Sequence, residues 1–207
     1  MAATTPVLHY FSLGRLGRGE VVRLFLRDAG VDFKDILYTY DATWANESEP
    51  LQEKDITRTG KLPALEYKGH ILNQHIPILR YLAQDLGSYD GATPIEKYVV
   101  DAVADIYIDW RAAWVPNISG PSDEFKNKTV PKYYDTLAKY YAERNGPYLL
   151  GDRVTYADFA IYQSIDNNER IGSLPATLPD EIVKFRKAFE ARPNIAAYIK
   201  ENLVKKA

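Results

Sequence analysis

The residues of this chain that point most clearly to chemistry lie in two short segments, 60–65 and 73–75. Pro63 begins an apolar stretch, where its missing N–H is tolerated at a first strand position and where a cis bond can form before the proline. Gln74 and His75 stand at the expected start of a helix, and helix N-termini bind carboxylates through their N–H groups. A proline turn beside a polar helix start suits a small peptide ligand.

Two structural parts must position these residues. Segment 7–86 shows the order strand, helix, strand, irregular segment, hairpin and helix, which is expected of a thioredoxin-like α/β unit. The Gly-, Ser- and Pro-containing segment 87–94 has the composition of a linker. The remainder, 95–207, shows helical periodicity without strand patterns. We therefore assign residues 1–86 to an α/β domain and residues 95–207 to an all-helical domain.

Individual elements follow from the same patterns. The predicted strands are 7–11, 32–40, 63–67 and 70–72, and the predicted helices are 20–29, one that begins near residue 75, 95–114, 129–145, 155–170, 179–191 and 194–204. Thr155 and Asp158 have the spacing of a capping box, in which each side chain binds the backbone N–H of the other residue. This pair predicts the start of a core helix and no chemistry of its own.

Composition excludes several classes of function. The 207 residues contain no cysteine, which excludes disulfide scaffolds, cysteine-ligated metals and a cysteine nucleophile. The three histidines lack zinc-type spacing, so no metal is expected. A net charge of −2 gives no reason to expect nucleic acid or an anionic membrane as a partner. Without a membrane-spanning run of about 20 apolar residues or a signal-peptide pattern at its start, the chain is expected to be cytoplasmic.

Together with Tyr10, which lies in the strand-like run 7–11, the two polar segments resemble the N-terminal domain of cytosolic glutathione S-transferases. The sigma class and its alpha and mu relatives are the most similar, and the resemblance covers nearly the whole chain. It implies the glutathione transferase fold, in which a thioredoxin-like α/β domain precedes an all-α domain. It also implies glutathione as co-substrate, a small electrophile as second substrate, and a homodimer.

The implied chemistry is activation of the glutathione thiol. A free thiol has a pKa of about 8.5, so little thiolate exists at pH 7, and lowering that pKa by ~2 units requires about 2.7 kcal/mol of preferential interaction with the anion. By resemblance, the hydroxyl of Tyr10 supplies this interaction and Arg18 helps to polarise the sulfur. The family places its tyrosine eight residues before the first-helix glutamate, whereas ten residues separate Tyr10 from Glu20. The loop is therefore longer, and Ser12 is an alternative donor.

The resemblance also implies roles in binding glutathione. Trp44, Lys54 and Lys61 would lie at its glycyl end, and a solvated lysine is the alternative for Lys54. The backbone of Leu62, before Pro63, would pair with the cysteinyl unit. The γ-glutamyl end would be bound by Gln74 and His75.

His75 departs from the family, which has serine at this position. An imidazole can donate one hydrogen bond, and when protonated it adds charge, but it is much larger than a hydroxymethyl group. Either the pocket is reshaped with glutathione still bound, or glutathione binding is weakened.

The helix 95–114 carries Asp101, Asp105 and Asp109 at four-residue intervals, so they share one face. Such a stripe is usually just solvated, but by resemblance Asp105 would cross the dimer cleft to the γ-glutamyl ammonium of the other subunit. The electrophile pocket implied by the resemblance consists of Leu13, Arg111 and Trp114. A surface arginine and a core-flanking tryptophan are the alternative for the last two.

The sequence thus predicts a homodimeric, sigma-like glutathione transferase. Thr59 stands where several classes place an aromatic interface residue, which implies a more polar contact between subunits. One rival is a glutathione-dependent isomerase of a conjugated carbonyl compound. Another is a non-catalytic relative with a structural or scaffold role.

Overall fold

The computed structural model describes the backbone of residues 5–204 and the side chains of residues 5–201. The described residues divide into two units between Leu82 and Ala83. The predicted domain bounds 1–86 and 95–207 include residues 1–4 and 205–207, which lie outside the described part of the chain.

The first unit is built on a four-stranded mixed sheet. Its elements are β1 (Val7–Phe11), α1 (Gly19–Asp28), β2 (Lys34–Tyr38), α2 (Trp44–Glu53), β3 (Ala64–Tyr67), β4 (His70–Asn73) and most of α3 (His75–Leu86), whose residues after Leu82 belong to the second unit. The strand order is β2-β1-β3-β4, with β1 parallel to β2 and antiparallel to β3, and β3 antiparallel to β4. The parallel β1–α1–β2 crossover followed by the β3–β4 hairpin confirms the predicted thioredoxin-like arrangement.

Two predictions about this unit were wrong in detail. The segment between β2 and β3 was predicted to be irregular, but it contains α2. Only Ser48 and Leu51 of that helix are buried, and Pro50 lies inside it, so its sequence shows neither a clear apolar stripe nor good helix propensity. Strand β2 is also shorter than the predicted 32–40, and it lies at the edge of the sheet with mostly exposed side chains.

The second unit is helical, as predicted. It contains α4 (Pro94–Trp114), a 3₁₀ turn (Val115–Asn117), a π-helical turn (Phe125–Thr129), α5 (Val130–Ala142), α6 (Tyr156–Arg170), α7 (Asp180–Glu190) and α8 (Pro193–Val204). Of the predicted linker 87–94, the residues from Gly87 to Thr93 have neither helix nor strand, whereas Pro94 begins α4. Helix α5 ends at Ala142, before the predicted residue 145, and residues 143–147 form a turn and bends in which Gly146 has a positive φ of 155°.

The centre of the second unit is α6, whose residues from Tyr156 to Asn168 are all buried. The predicted capping box at its start is present. The Asp158 carboxylate accepts hydrogen bonds from the Thr155 N–H (2.6 Å) and hydroxyl (2.8 Å), and also from the Tyr141 hydroxyl (2.8 Å) and the Leu149 N–H (3.1 Å). Although these bonds favour the anion, complete burial raises the pKa of the Asp158 carboxyl above its ordinary value.

Candidate active site

Tyr10 lies near the C-terminal end of β1 and is 4% exposed. It packs with Leu62 and Ala64 in an apolar cluster, and further side chains lie against that cluster: Phe11, Leu13, Tyr38, Trp44 and Ile56. The structure therefore brings together four residues that the sequence proposed for the site, namely Tyr10, Leu13, Trp44 and Leu62. They meet because the ends of β1, β2 and β3 are adjacent in the sheet.

The loop after β1 folds back over the Tyr10 hydroxyl. The backbone N–H of Arg18 donates to the phenol oxygen at 2.7 Å. Gly17, with a φ of 85°, passes so close that an added Cβ would lie 3.2 Å from two ring carbons and closer still to the hydroxyl oxygen. The loop between β1 and α1 thus places backbone atoms beside this hydroxyl.

The two arginine side chains of the loop, Arg15 and Arg18, differ in their partners. Arg15 forms an ion pair with the buried Glu20 at 3.4 Å. Across the side chains of residues 5–201, the Arg18 guanidinium has neither a hydrogen bond nor an ion pair. Of these two arginines, Arg18 is therefore the one whose charge is available to an anion. Ser12 is exposed, and its N–H donates to the Tyr38 carbonyl at 2.8 Å, which fixes the end of β1 against β2.

An ion-pair network around the buried Glu20 lies at this loop, and it was not predicted from the sequence, where Glu20 was only a marker of spacing. Arg23 binds Glu20 at 3.4 Å and Asp35 at 2.6 Å, and its guanidinium lies 5.7 Å from the centre of the Tyr10 ring. The Arg23 guanidinium also donates to the Gly14 carbonyl at 3.4 Å. The i,i+3 spacing of Glu20 and Arg23 was the available signal.

The proline turn has the conformation that the sequence permitted, since the Leu62–Pro63 peptide bond is cis. Leu62 is buried, and Lys61 beside it is exposed. Trp44 begins α2 and contacts Phe11 edge-on, with ring centres 4.7 Å apart. Lys54 is exposed just after the end of α2.

Gln74 and His75 form the junction of β4 and α3. Gln74 is exposed and has a φ of 69°, an uncommon conformation for a residue other than glycine and one that often accompanies function. His75 is the first residue of α3 and is 3% exposed. The imidazole that replaces the family's serine is therefore buried rather than turned to solvent.

The residues proposed on α4 differ in exposure. Asp105 is exposed and makes no hydrogen bond within the described chain, whereas Asp101 accepts a bond from the Tyr156 hydroxyl. The alternative of a merely solvated stripe is therefore wrong for Asp101. Asp105 keeps its proposed role only as a prediction.

Arg111 and Trp114 are each 1% exposed, so the surface-arginine alternative is wrong. The Arg111 guanidinium donates to Asn167 at 3.1 Å and to the Tyr107 hydroxyl at 2.8 Å, and it also binds Gln163. It lies over the ring of Trp114 at 4.7 Å. In this conformation, these side chains present almost no surface to a ligand, and their assignment to an electrophile pocket stays a prediction.

Models of one protein family match both units of the chain. A model of the glutathione S-transferase N-terminal domain matches residues 6–84, and a model of the C-terminal domain of the same family matches residues 108–202. The chain is 31% identical over 207 residues to glutathione S-transferase 1 of Ascaris suum, with 94% of this chain and 95% of that protein covered. The chain belongs to the glutathione S-transferase family. Glutathione is the co-substrate of this family, and the chain is a glutathione transferase.

The transferase is also similar to a prostaglandin D synthase and, in fold, to a solved glutathione S-transferase structure. It is 29% identical to the hematopoietic prostaglandin D synthase of Gallus gallus, with 94% of each chain covered. The solved structure of monomeric Na-GST-3, a glutathione S-transferase of Necator americanus, superposes with a TM-score of 0.80 at 24% identity, over 96% of this chain and 97% of that one. This second likeness shows the fold alone. Within residues 5–204 of the transferase, no helix is both long and apolar enough to cross a membrane.

Proposed function

We propose that this transferase activates the glutathione thiol with the hydroxyl of Tyr10 and transfers the resulting thiolate to small electrophiles by addition or substitution. The observation that carries the proposal is the hydrogen bond from the Arg18 N–H to the Tyr10 hydroxyl oxygen, at 2.7 Å. This bond uses a lone pair of the oxygen and not its proton, so the phenol can still act as a donor. A phenol proton directed at the sulfur stabilises the thiolate over the thiol.

Arg18 would add electrostatic stabilisation. Its guanidinium has no anionic partner among residues 5–201, whereas Arg15 and Arg23 are both held by Glu20. A cation near the sulfur favours the charged form. Tyr10 and Arg18 together would then supply the ~2.7 kcal/mol that a thiol pKa shift of ~2 units requires.

The remaining roles in glutathione binding are proposals from the resemblance, supported by position in the first unit. Leu62 and Trp44 pack in the Tyr10 cluster, and Lys61 and Gln74 are exposed next to that turn and helix start. We assign Lys54 and Lys61 to the glycyl carboxylate. We assign Gln74 and His75, at the start of α3, to the γ-glutamyl end. Asp105 would reach the ammonium group of glutathione bound in a second copy of the chain.

The thiol pKa of bound glutathione tests the role of Tyr10. Tyr10→Phe removes only the hydroxyl, so we expect this pKa to rise by ~1–2 units while calorimetric glutathione affinity changes little. Ser12→Ala is the matched control, because it removes the rival hydroxyl from the same loop, and it should leave the pKa unchanged. The opposite result, with Ser12→Ala raising the pKa and Tyr10→Phe leaving it alone, would assign activation to Ser12. Undetectable glutathione binding by the unaltered protein would favour the non-catalytic reading.

A glutathione-dependent isomerase is the second candidate. One observation favours it, namely the likeness to a relative that is named a prostaglandin D synthase rather than a transferase. In this reaction the thiolate adds reversibly to a conjugated carbonyl compound and leaves after bond rotation, so glutathione is not consumed. Product analysis by mass spectrometry separates the two: a stable glutathione adduct supports transfer, and a rearranged product without net loss of glutathione supports isomerisation.

Subclass, assembly and location are also proposals. The sigma-like assignment rests on Tyr10 and Trp44, and the cytoplasmic location rests on sequence composition. We propose a homodimer with a polar contact at the exposed Thr59. Light scattering of the purified protein tests the assembly, since a mass equal to one chain would contradict it.

A further inference from the structure

The side chain of Tyr10 packs on one side against three consecutive residues, Gly17, Arg18 and Gly19. The Arg18 N–H contacts the hydroxyl oxygen, and a Cβ added at Gly17 would meet the same atom. At Gly19, an added Cβ would lie 2.8 Å from the Tyr10 Cβ and closer still to its ring. Only glycine lets the backbone approach this closely on both sides of Arg18.

The loop that carries these residues is itself anchored. Its Arg15 side chain pairs with the buried Glu20 at 3.4 Å, and Arg23 donates to the Gly14 carbonyl. Arg23 is in turn fixed by Asp35 on β2. The loop backbone is therefore held by contacts at several points along its length and not only by its two ends.

This geometry has a chemical consequence for the hydroxyl. An N–H bond accepted by the oxygen restricts the directions in which the O–H can point, and it polarises the O–H bond so that the proton becomes a better donor. It also holds the phenol in one orientation, so less freedom is lost when a thiolate binds.

We infer that the segment Gly17-Arg18-Gly19 is a backbone clamp that positions the Tyr10 hydroxyl, with the Arg18 N–H as its positioning donor. The inference rests on the proposed role of Tyr10 and deepens it. It assigns to the main chain of the loop a role separate from that of the Arg18 guanidinium. The two glycines belong to the clamp because a side chain at either position would displace Tyr10.

Gly17→Ala tests the clamp, because the new methyl group meets the hydroxyl oxygen first. The matched control is Gly14→Ala in the same loop. Gly14 also has a positive φ, of 58°, so alanine is strained there too, but nothing lies within 4 Å of its added Cβ. Each substitution is made in the unaltered protein and in Tyr10→Phe, which gives two double-mutant cycles.

Stability by urea denaturation is the first readout. In the Tyr10→Phe background the hydroxyl is gone, so Gly17→Ala should be markedly less destabilising than in the unaltered protein, even if the single variant fails to fold. Gly14→Ala should behave additively with Tyr10→Phe. If the effects of Gly17→Ala and Tyr10→Phe on the free energy of unfolding are additive, the clamp is overturned, because Gly17 and Tyr10 would then not contact each other through the hydroxyl.

The thiol pKa of bound glutathione is the second readout, and a merely structural contact would not move it. Cooperative strengthening of ~10–30% on a shift of ~2 units predicts that losing the Arg18 N–H bond alone raises this pKa by ~0.2–0.6 unit. Gly17→Ala should show at least this rise, together with a lower kcat and little change in the KM for glutathione. Gly14→Ala should show neither effect.

The outcomes separate the clamp from the proposed function. If Tyr10→Phe leaves the thiol pKa unchanged, the proposed role of Tyr10 fails, whatever the double-mutant cycles show. If Tyr10→Phe raises it but Gly17→Ala does not, the role of Tyr10 stands and the clamp fails. A Gly17→Ala variant with a lower thiol pKa or faster turnover would also overturn the clamp, since the segment would then shield the hydroxyl rather than position it.

Discussion

Replacing Asp158 tests how the core of the second unit is held. Its Oδ1 accepts from the Tyr141 hydroxyl and the Leu149 N–H, and its Oδ2 accepts from the N–H and hydroxyl of Thr155. All four donors are buried, so each needs an acceptor. In Asp158→Asn one oxygen becomes an NH₂ group. We expect the amide oxygen to face Thr155, because the Tyr141 hydroxyl can accept from the NH₂ group instead of donating.

The magnitude follows from the donors that are left without an acceptor. In Asp158→Asn only the Leu149 N–H is orphaned, which costs about 1–3 kcal/mol. In Asp158→Ala all four donors lose their acceptor and the capping box is lost, so the cost is at least twice as large. The total stability of a domain is about 5–15 kcal/mol, so the alanine variant should be severely weakened.

Urea denaturation at pH 7, followed by tryptophan fluorescence, measures both variants. Two of the three tryptophans, Trp110 and Trp114, lie on α4 in the same unit and report on its unfolding. The exposed Asp152→Asn is the matched control and should change the free energy of unfolding by less than ~0.5 kcal/mol. Equal destabilisation by asparagine and alanine would refute the assignment of donors, and so would a neutral alanine variant.

The pH dependence of the same measurement tests the charge state. Burial raises the pKa of Asp158 in the folded state, so on raising the pH from about 4 the unfolded chain releases this proton first. The free energy of unfolding of the unaltered protein therefore falls as the pH rises toward the folded-state pKa of Asp158. In Asp158→Asn this position does not titrate. The difference in the free energy of unfolding between the unaltered protein and Asp158→Asn should therefore narrow with rising pH and then level off. A difference that widens with pH over this range would mean that the four hydrogen bonds outweigh burial.

Four other substitutions have defined outcomes. Gly19→Ala should destabilise the protein by about 1–3 kcal/mol or more in urea denaturation, because the clash with Tyr10 outweighs the ~1 kcal/mol gain in helix propensity; a stabilised variant would contradict the observed packing. Arg18→Ala keeps the backbone N–H, so it should raise the thiol pKa of bound glutathione while changing stability by less than ~0.5 kcal/mol, and a large loss of stability would show a structural role for the guanidinium. Asp105→Ala should weaken calorimetric glutathione binding by ~1–3 kcal/mol without affecting stability, and unchanged affinity would leave Asp105 a solvated residue. His75→Ser should leave affinity equal or better, by restoring the family's contact, although emptying a buried position lowers stability by about 1–3 kcal/mol; weaker binding would show that the imidazole belongs to a reshaped pocket.

Features encoded by neighbouring residues could be predicted from the sequence alone. Apolar residues at helical spacing predicted α1, α4 and the later helices, and alternation with turn residues predicted the β3–β4 hairpin. The capping box at Thr155 and Asp158 followed from two residues three positions apart. In each case the interaction that stabilises the element lies within a few residues, so the local sequence carries it.

Tertiary structure decided the features that depend on atoms distant in sequence. Helix α2 forms although its local pattern is weak, because its buried Leu51 packs within the first unit. The contact between the Arg18 N–H and the Tyr10 hydroxyl depends on the path of a whole loop, and the burial of Arg111 depends on side chains of α6 more than 50 residues away. The sequence by itself determined most of the helices and strands, and it indicated which residues could do thiol chemistry. Only the folded chain decided which of these groups meet at hydrogen-bonding distance, because that distance is set by packing between elements and not by spacing along them.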